Sequence, residues 1–173
     1  MDRAEWVKSA LERFEGPLIR YAAGITGDVE QARDVVQDTF LKLCGAKRES
    51  VNGRLSAWLY TVCRNRALDV WRREKRRARV ETANARDGVF EHPAFEPEEP
   101  YASVLRLIGT LPENQREALR LKYQDGLSYK EISQVTGLSV SNVGFLIHSG
   151  VKRVREQINV RGDLIILEKQ GNG

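Results

Sequence analysis

Residues 80–100, VETANARDGVFEHPAFEPEEP, hold three of the chain's five prolines and no apolar periodicity. One arginine against six acids leaves a net −5 across these twenty-one residues. Such a stretch has too little apolar surface to offset the entropy of ordering it, and its prolines interrupt helices and strand ladders alike. Whatever folds must therefore fold on either side of it. The sixteen residues before it, RNRALDVWRREKRRAR over 64–79, are its opposite: eight Lys or Arg against two acids, a net +6. The chain accordingly reads as an N-terminal domain over 1–79, a flexible acidic linker over 80–102, a C-terminal domain over 103–160 and a tail over 161–173. Neither domain is long enough for a large core.

A balance of 41% apolar and 30% charged residues is that of an ordinary soluble protein. No apolar run approaches the ~20 residues of a membrane helix, and the start, MDRAEWVKSALERFEG, has no apolar signal-peptide segment. No membrane insertion and a cytoplasmic location are expected. Cys44 and Cys63 lie in helical patterns without a CxxC or His/Cys cluster, which reads as two buried thiols in a reducing compartment, with a redox role as the alternative. No nucleophile–base pair, metal-ligand cluster or phosphate-cradling glycine loop stands out, so no catalysis, cofactor or metal is expected.

The N-terminal domain reads as helices. Leu11, Phe14, Leu18, Tyr21 and Ile25 recur at three- and four-residue steps, one buried face that Gly16-Pro17 is expected to break or kink. In GDVEQARDVVQDTFLKLCG, Asp28 and Gln31 fit a capping-box start, Val29, Ala32, Val36, Phe40 and Leu43 form the stripe, and Gly45 suits the stop. The opposite face carries Asp34, Gln37, Asp38 and Lys42. A third helix opens near Ser56 and runs into the basic block, with Leu55, Leu59, Val62 and Val70 inward. In it, Arg64, Arg66, Arg72, Arg73, Arg76 and Arg77 share a segment with Trp58, Tyr60 and Trp71. Clustered cations suit phosphates and aromatic faces suit unstacked bases, so the segment points to single-stranded nucleic acid. The alternatives are a solvated basic face and, for Trp58 and Tyr60, core packing. Strand alternation is nowhere convincing; the fold class is all-α.

In the C-terminal domain, Thr110 and Glu113 make a T-x-x-E box with Pro112 in the first turn of PENQREALRLKY, which stops at Asp125-Gly126. Ser128 and Glu131 repeat the device, that short helix ends at Thr136-Gly137, and Ser139 caps the next, from Val140 towards Ile158. Two helices across a short glycine turn make a helix-turn-helix, with Ser133 as the small contact residue, Gly137 for a left-handed turn and Val143 as the apolar anchor. A plain helical hairpin is the alternative. Ile132, Val135, Leu138, Val140, Val143, Ile147 and Val151 are assigned to the core, leaving Ser139, Ser141, Asn142, Phe145, His148, Ser149 and Lys152 to a DNA groove. Asn142 suits bidentate pairing with adenine, and Phe145 a thymine methyl. His148 suits a phosphate or base contact, or a partly buried imidazole. The candidate reading stretch, GLSVSNVGFLIHSG, contains no Lys, Arg, Asp or Glu, and positive charge returns only with Lys152, Arg153 and Arg155, which suit phosphates.

Taken in order, DVVQDTFLKL, LSAWLYTVCRNRALDVWRR and LPENQREALRLKYQDGLSYKEISQVTGLS resemble three motifs of the sigma-70 family of bacterial RNA polymerase initiation factors, in its extracytoplasmic-function (ECF) subgroup, over roughly Phe14 to Ile158. The resemblance implies a promoter-specificity subunit without catalysis of its own: minus-10 recognition and melting by the N-terminal domain, minus-35 binding by the C-terminal one. By the same resemblance Asp34, Gln37, Asp38, Phe40 and Leu41 dock on the clamp coiled coil of the largest polymerase subunit, the core being the alternative for Phe40. The loop AKRESVNGRL, which contains Arg54, captures a flipped minus-10 base, at a few kcal/mol of extraction that its pocket must offset. Asn65, Arg66, Asp69, Arg72 and Arg73, with Trp58, face the melted strand and upstream duplex. Ser139, Ser141, Asn142, Phe145, His148, Ser149, Lys152 and Arg153 face the minus-35 element. The first helix of the C-terminal domain meets the flap of the second-largest subunit, and the linker lies near the active-centre cleft. The implied partners are core RNA polymerase, promoter DNA and, by analogy, an anti-sigma factor.

Three positions that are usually basic in that family are here Gly144, Leu146 and Ser149, and a glycine inside a helix costs about 1 kcal/mol relative to alanine. Electrostatic affinity is therefore expected from 64–79 and VKRVR, and promoter preference from Asn142, Phe145 and His148. Two other functions compete: a helix-turn-helix regulator acting on duplex DNA without polymerase, which would not need Gln37 or Asp38, and an interaction protein that does not bind DNA.

Overall fold

The computed structural model describes the backbone over 2–51, 53–81 and 101–170 and the side chains over 2–51, 53–80 and 103–160. Every regular element among these residues is an α-helix. Nearly all of the acidic linker, and the side chains of the tail's LIIL run, lie outside the described residues. The helices group into two compact units. The first contains α1 (Arg3–Thr26), α2 (Val29–Gly45), the single turn α3 (Arg48–Val51) and α4 (Leu55–Glu81); the second contains α5 (Tyr101–Gly109), α6 (Glu113–Tyr123), the start of α7 (Tyr129–Thr136) and α8 (Val140–Gln170).

α1 opens with a capping box, in which the Asp2 N–H donates to Glu5 Oε2 at 3.0 Å. It then runs unbroken through Gly16-Pro17, contrary to the expected break. Proline removes one backbone donor, but Phe14 before it and Leu18 after it are both buried, Leu18 completely, so one core holds both halves of the helix. Leu11 is 37% exposed, and the buried stripe begins instead with Trp6 and Ala10. The Asp28 carboxylate accepts the Gln31 N–H at 2.8 Å to start α2, which buries Ala32, Val35, Val36, Thr39, Phe40 and Leu43. α4 completes the core with Ala57, Leu59, Tyr60, Cys63 and Ala67, whereas Val62 and Val70 are only half-buried. Tyr60 is thus core rather than a base platform, its ring edge-on to that of Tyr21 with centroids 5.2 Å apart. Cys63 is buried but Cys44 is exposed, which corrects the reading of both as buried thiols.

The second unit is built on Leu107, Ile108, Leu111, Leu119 and Val154. The expected Thr110 capping box does not form: the Thr110 hydroxyl donates to the nearer Leu107 carbonyl at 2.7 Å, and α6 starts behind Pro112 without a side-chain cap. The Ser128 box does form, with the Ser128 N–H on Glu131 Oε2 at 2.8 Å and the Glu131 N–H on Ser128 Oγ at 3.2 Å. Gly137 ends α7 at φ 76°, where a side chain would be strained, and the Ser133 hydroxyl donates across this turn to the Leu138 carbonyl. Val140 is 48% exposed at the start of α8 and leaves the assigned core. Gly150 is buried, and a Cβ there would lie 2.4 Å from Leu119 Cδ1, so α6 and α8 approach as closely as they do because this residue has no side chain. α8 continues beyond Ile158 into the tail, as far as Gln170. On α6, burial, with Arg116 alongside, pushes the Arg120 guanidinium down to about 10, so it stays charged at neutral pH.

Candidate nucleic-acid interface

Steps of seven, four, three and four residues set Trp58, Asn65, Asp69, Arg72 and Arg76 along one stripe of α4, opposite the buried Tyr60, Cys63 and Ala67. Asn65, Asp69, Arg72 and the adjacent Arg73 are exposed, and Trp58 is half-buried. Arg72 Nη1 lies 3.4 Å from Asp69 Oδ1 with both side chains more than half exposed, a pair weak enough for a phosphate to displace. Trp71 is half-buried beneath a cation, Lys75 Nζ standing 4.9 Å from its ring centroid. Arg66 leaves the stripe and turns toward α2, where its Nε donates to Asp38 Oδ2 at 2.8 Å. The two side chains are 34% and 41% exposed, so this ion pair is better shielded than Arg72–Asp69 or Arg77–Glu74. It ties a residue of the nucleic-acid set to one of the polymerase-docking set.

On α2, Asp34, Gln37, Asp38 and Leu41 line the outward face at three- and four-residue steps, and Leu41 is 63% exposed although apolar. Phe40 lies in the core at 5% exposure and is removed from that face. Between α2 and α4, the loop over 46–55 contains the turn α3 and is anchored by Val51, which is fully buried. Gly53 stands at φ +80° just before Arg54, which is exposed and donates from Nη2 to the Ser50 carbonyl at 3.3 Å. The loop is braced from α1. Arg3 Nη2 donates to the Cys44 carbonyl and, at 3.1 Å, to the Ala46 carbonyl, while the Arg48 guanidinium sits 5.9 Å from the Trp6 ring centroid. Sequence reasoning missed Arg3 and Trp6; the apolar step from Trp6 to Ala10 and Phe14 was the available signal.

On α8, steps of four, three and four residues place Ser141, Phe145, His148 and Lys152 along the outward face, all exposed, with Phe145 at 66%. Asn142 is exposed beside them, and its backbone N–H donates to Ser139 Oγ at 3.2 Å. Ser139 is thus engaged as the cap, and the Asn142 side chain is exposed. Gly144 faces Tyr129, whose ring would lie 3.6 Å from a Cβ there.

Ser149 departs from its expected place in the groove. It is half-buried, accepts from Gln115 Nε2 at 2.9 Å and donates to the Leu146 carbonyl at 3.2 Å. The other end of the same Gln115 amide accepts from Arg153 Nη1 at 3.2 Å. Gln115, 7% exposed, is a polar residue on the inward face of α6, at the same three- and four-residue steps as Ala118 and Leu119. A polar residue in that register is the sequence signal for it. Among the described residues no three His, Cys, Asp or Glu side chains gather as a metal site, and no helix is long and apolar enough to cross a membrane.

The family pattern described as Sigma-70 region 2 matches residues 10–77, and that described as Sigma-70, region 4 matches residues 101–154. The chain is 30% identical over 161 residues to the ECF RNA polymerase sigma factor SigL of Mycobacterium tuberculosis, covering 88% of each chain. It is 25% identical over 151 residues to the ECF RNA polymerase sigma factor SigM of Bacillus subtilis, covering 86% of this chain and 92% of SigM. Among solved structures, it is similar to the sigma factor RpoE of Bartonella quintana, crystallised with the anti-sigma factor NepR. There the TM-score is 0.67 at 26% identity, over 88% of this chain and 96% of that one.

Proposed function

We propose how residues divide the work in this chain, which belongs to the sigma-70 family of RNA polymerase sigma factors and to its ECF group. As a sigma factor it binds core RNA polymerase and directs promoter-specific transcription initiation. Its part is specificity, and the chemistry of nucleotide addition is the polymerase's. Residues 1–79 serve as the polymerase-docking and minus-10 domain, residues 103–160 as the minus-35 domain, and the chain works in the cytoplasm.

In this reading the outward face of α2, with Asp34, Gln37, Asp38 and the exposed Leu41, docks on polymerase. Trp58, Asn65, Asp69, Arg72 and Arg73 meet the melted minus-10 strand and the duplex above it, while Arg54 and its loop take a flipped base. The helix α8 reads the minus-35 element through Ser141, Asn142, Phe145 and His148, with Lys152 and Arg153 on phosphates. The observation that carries this division is the α4 stripe: a basic face with a half-buried Trp58 suits unstacked bases and phosphates better than a closed duplex groove. Crystallised relatives such as RpoE, bound to NepR, support an anti-sigma factor as a further partner. Run-off transcription with purified core polymerase tests the reading. Promoter-dependent transcripts are expected, lost with Arg72→Ala/Arg73→Ala; transcripts indifferent to those arginines would overturn the assignment of α4.

A further inference from the structure

The hydrogen bonds around Gln115 run in one direction. Arg153 Nη1 donates to Gln115 Oε1, Gln115 Nε2 donates to Ser149 Oγ, and the Ser149 hydroxyl donates to the Leu146 carbonyl. Because the serine proton is engaged by that carbonyl, Ser149 Oγ offers only lone pairs to its neighbour, and a flipped Gln115 amide would set an oxygen against it and donors against the guanidinium. The polarity of the relay is therefore fixed at both ends. It is also sheltered: Gln115 is 7% exposed, in the seam where Leu119 and the side-chain-free Gly150 bring α6 and α8 together. Arg153 lies eleven residues, three helical turns, beyond Asn142 and hence on the same edge of α8. Gln115 takes one of its five N–H donors and leaves the others for an anion.

We infer that Gln115, which touches no DNA itself, is a positioning residue: through Ser149 it holds Arg153 as a stiffened cation against a backbone phosphate flanking the minus-35 element. This rests on the assignment of α8 to minus-35 DNA. It gives the serine at 149 a function, as the acceptor that orients the amide, and it distinguishes Arg153 from Lys152, a flexible point charge on the outward stripe.

The experiment is the salt dependence of promoter binding by the full chain with core polymerase, on a promoter whose minus-35 element is intact and on one whose element is scrambled. Arg153→Ala is expected to lower the log–log salt slope by about 0.9, the loss of one phosphate contact, only on the intact element. Gln115→Glu turns the relay into a closed ion pair with Arg153 and is expected to give the same loss, with no further change when combined with Arg153→Ala. Ser149→Ala frees one end of the amide and is expected to give part of the loss, which keeps the inference testable where a Gln115 variant folds poorly. Full slope in Gln115→Glu and Ser149→Ala, or additive losses in the double variant, overturns the positioning role alone. An unchanged slope in Arg153→Ala overturns the phosphate contact itself and the positioning role with it.

Discussion

The two helices assigned to promoter DNA are built in opposite ways. Residues 64–79 of α4 carry eight Lys or Arg, whereas α8 has no charged residue before Lys152. On α4 Arg72 and Arg76 stand on an open stripe, and the exposed pairs Arg72–Asp69 and Arg77–Glu74 are weak i,i+3 neighbours at 3.4 Å each. On α8 the outward positions are Ser141, Phe145 and His148 with Asn142 beside them, groups that read base edges and methyls. Affinity for a polyanion and preference among sequences are different physical tasks, the first governed by counterion release and the second by hydrogen bonds and apolar fit. In the proposed division most of the first falls to α4, and the second to the uncharged first turns of α8, ahead of Lys152 and Arg153.

Four substitutions break or sharpen that contrast. The largest effect is expected from Arg72→Ala/Arg73→Ala: two phosphate contacts to single-stranded DNA are worth a salt slope of roughly 1.4 in total, enough to abolish promoter opening at physiological salt. Permanganate reactivity of minus-10 thymines reads this directly, and wild-type reactivity in the double variant contradicts it. Gly150→Ala comes next. Its new methyl meets Leu119 Cδ1 at 2.4 Å, and such overpacking costs about 1–3 kcal/mol, visible as a lower urea midpoint; an unchanged midpoint means that Leu119 simply swings away.

Asn142→Ala is expected to cost about 1–3 kcal/mol of discrimination at one base position of the minus-35 element. Equal weakening on every promoter shows instead that Asn142 only positions the helix. The smallest effect is on Gly144, a second glycine inside α8. Here a Cβ meets only the Tyr129 ring at 3.6 Å, an ordinary contact, so Gly144→Ala is expected to stabilise the fold by about 0.5–1 kcal/mol. A destabilised Gly144→Ala would mean that the Tyr129 contact is tighter than it looks.

That pair of glycines also shows what a sequence can and cannot say. Helical period placed Phe14, Leu18, Val36, Leu43, Ile132, Val143 and Ile147 inside, and all are buried, because burial on a helix face is a local and repeating property. The Ser128 box and the left-handed Gly137 were legible for the same reason, being set by neighbours within three or four residues. Thr110 misled because its hydroxyl had two local uses, accepting from the Glu113 N–H as a cap or donating to the Leu107 carbonyl, and it takes the second. Gly150, Gln115 and the Arg66–Asp38 pair depend on residues 28 to 38 positions away, or on a neighbouring helix, and no pattern within one helix encodes such meetings. At Gly16-Pro17 the break that the local signal allowed does not occur, because the core on either side holds α1 as one helix.

The most direct test of the division between the two helices is the salt slope of promoter-complex formation with core polymerase, measured for Arg72→Ala/Arg73→Ala and for Ser141→Ala/Asn142→Ala/Phe145→Ala across a panel of minus-35 sequences. The first variant is expected to lower the slope on every sequence while leaving the ranking of sequences intact. The second is expected to keep the slope and flatten the ranking. A slope that falls as much with the α8 variant as with the α4 variant would contradict the division, since it would place electrostatic contacts on the three uncharged positions Ser141, Asn142 and Phe145.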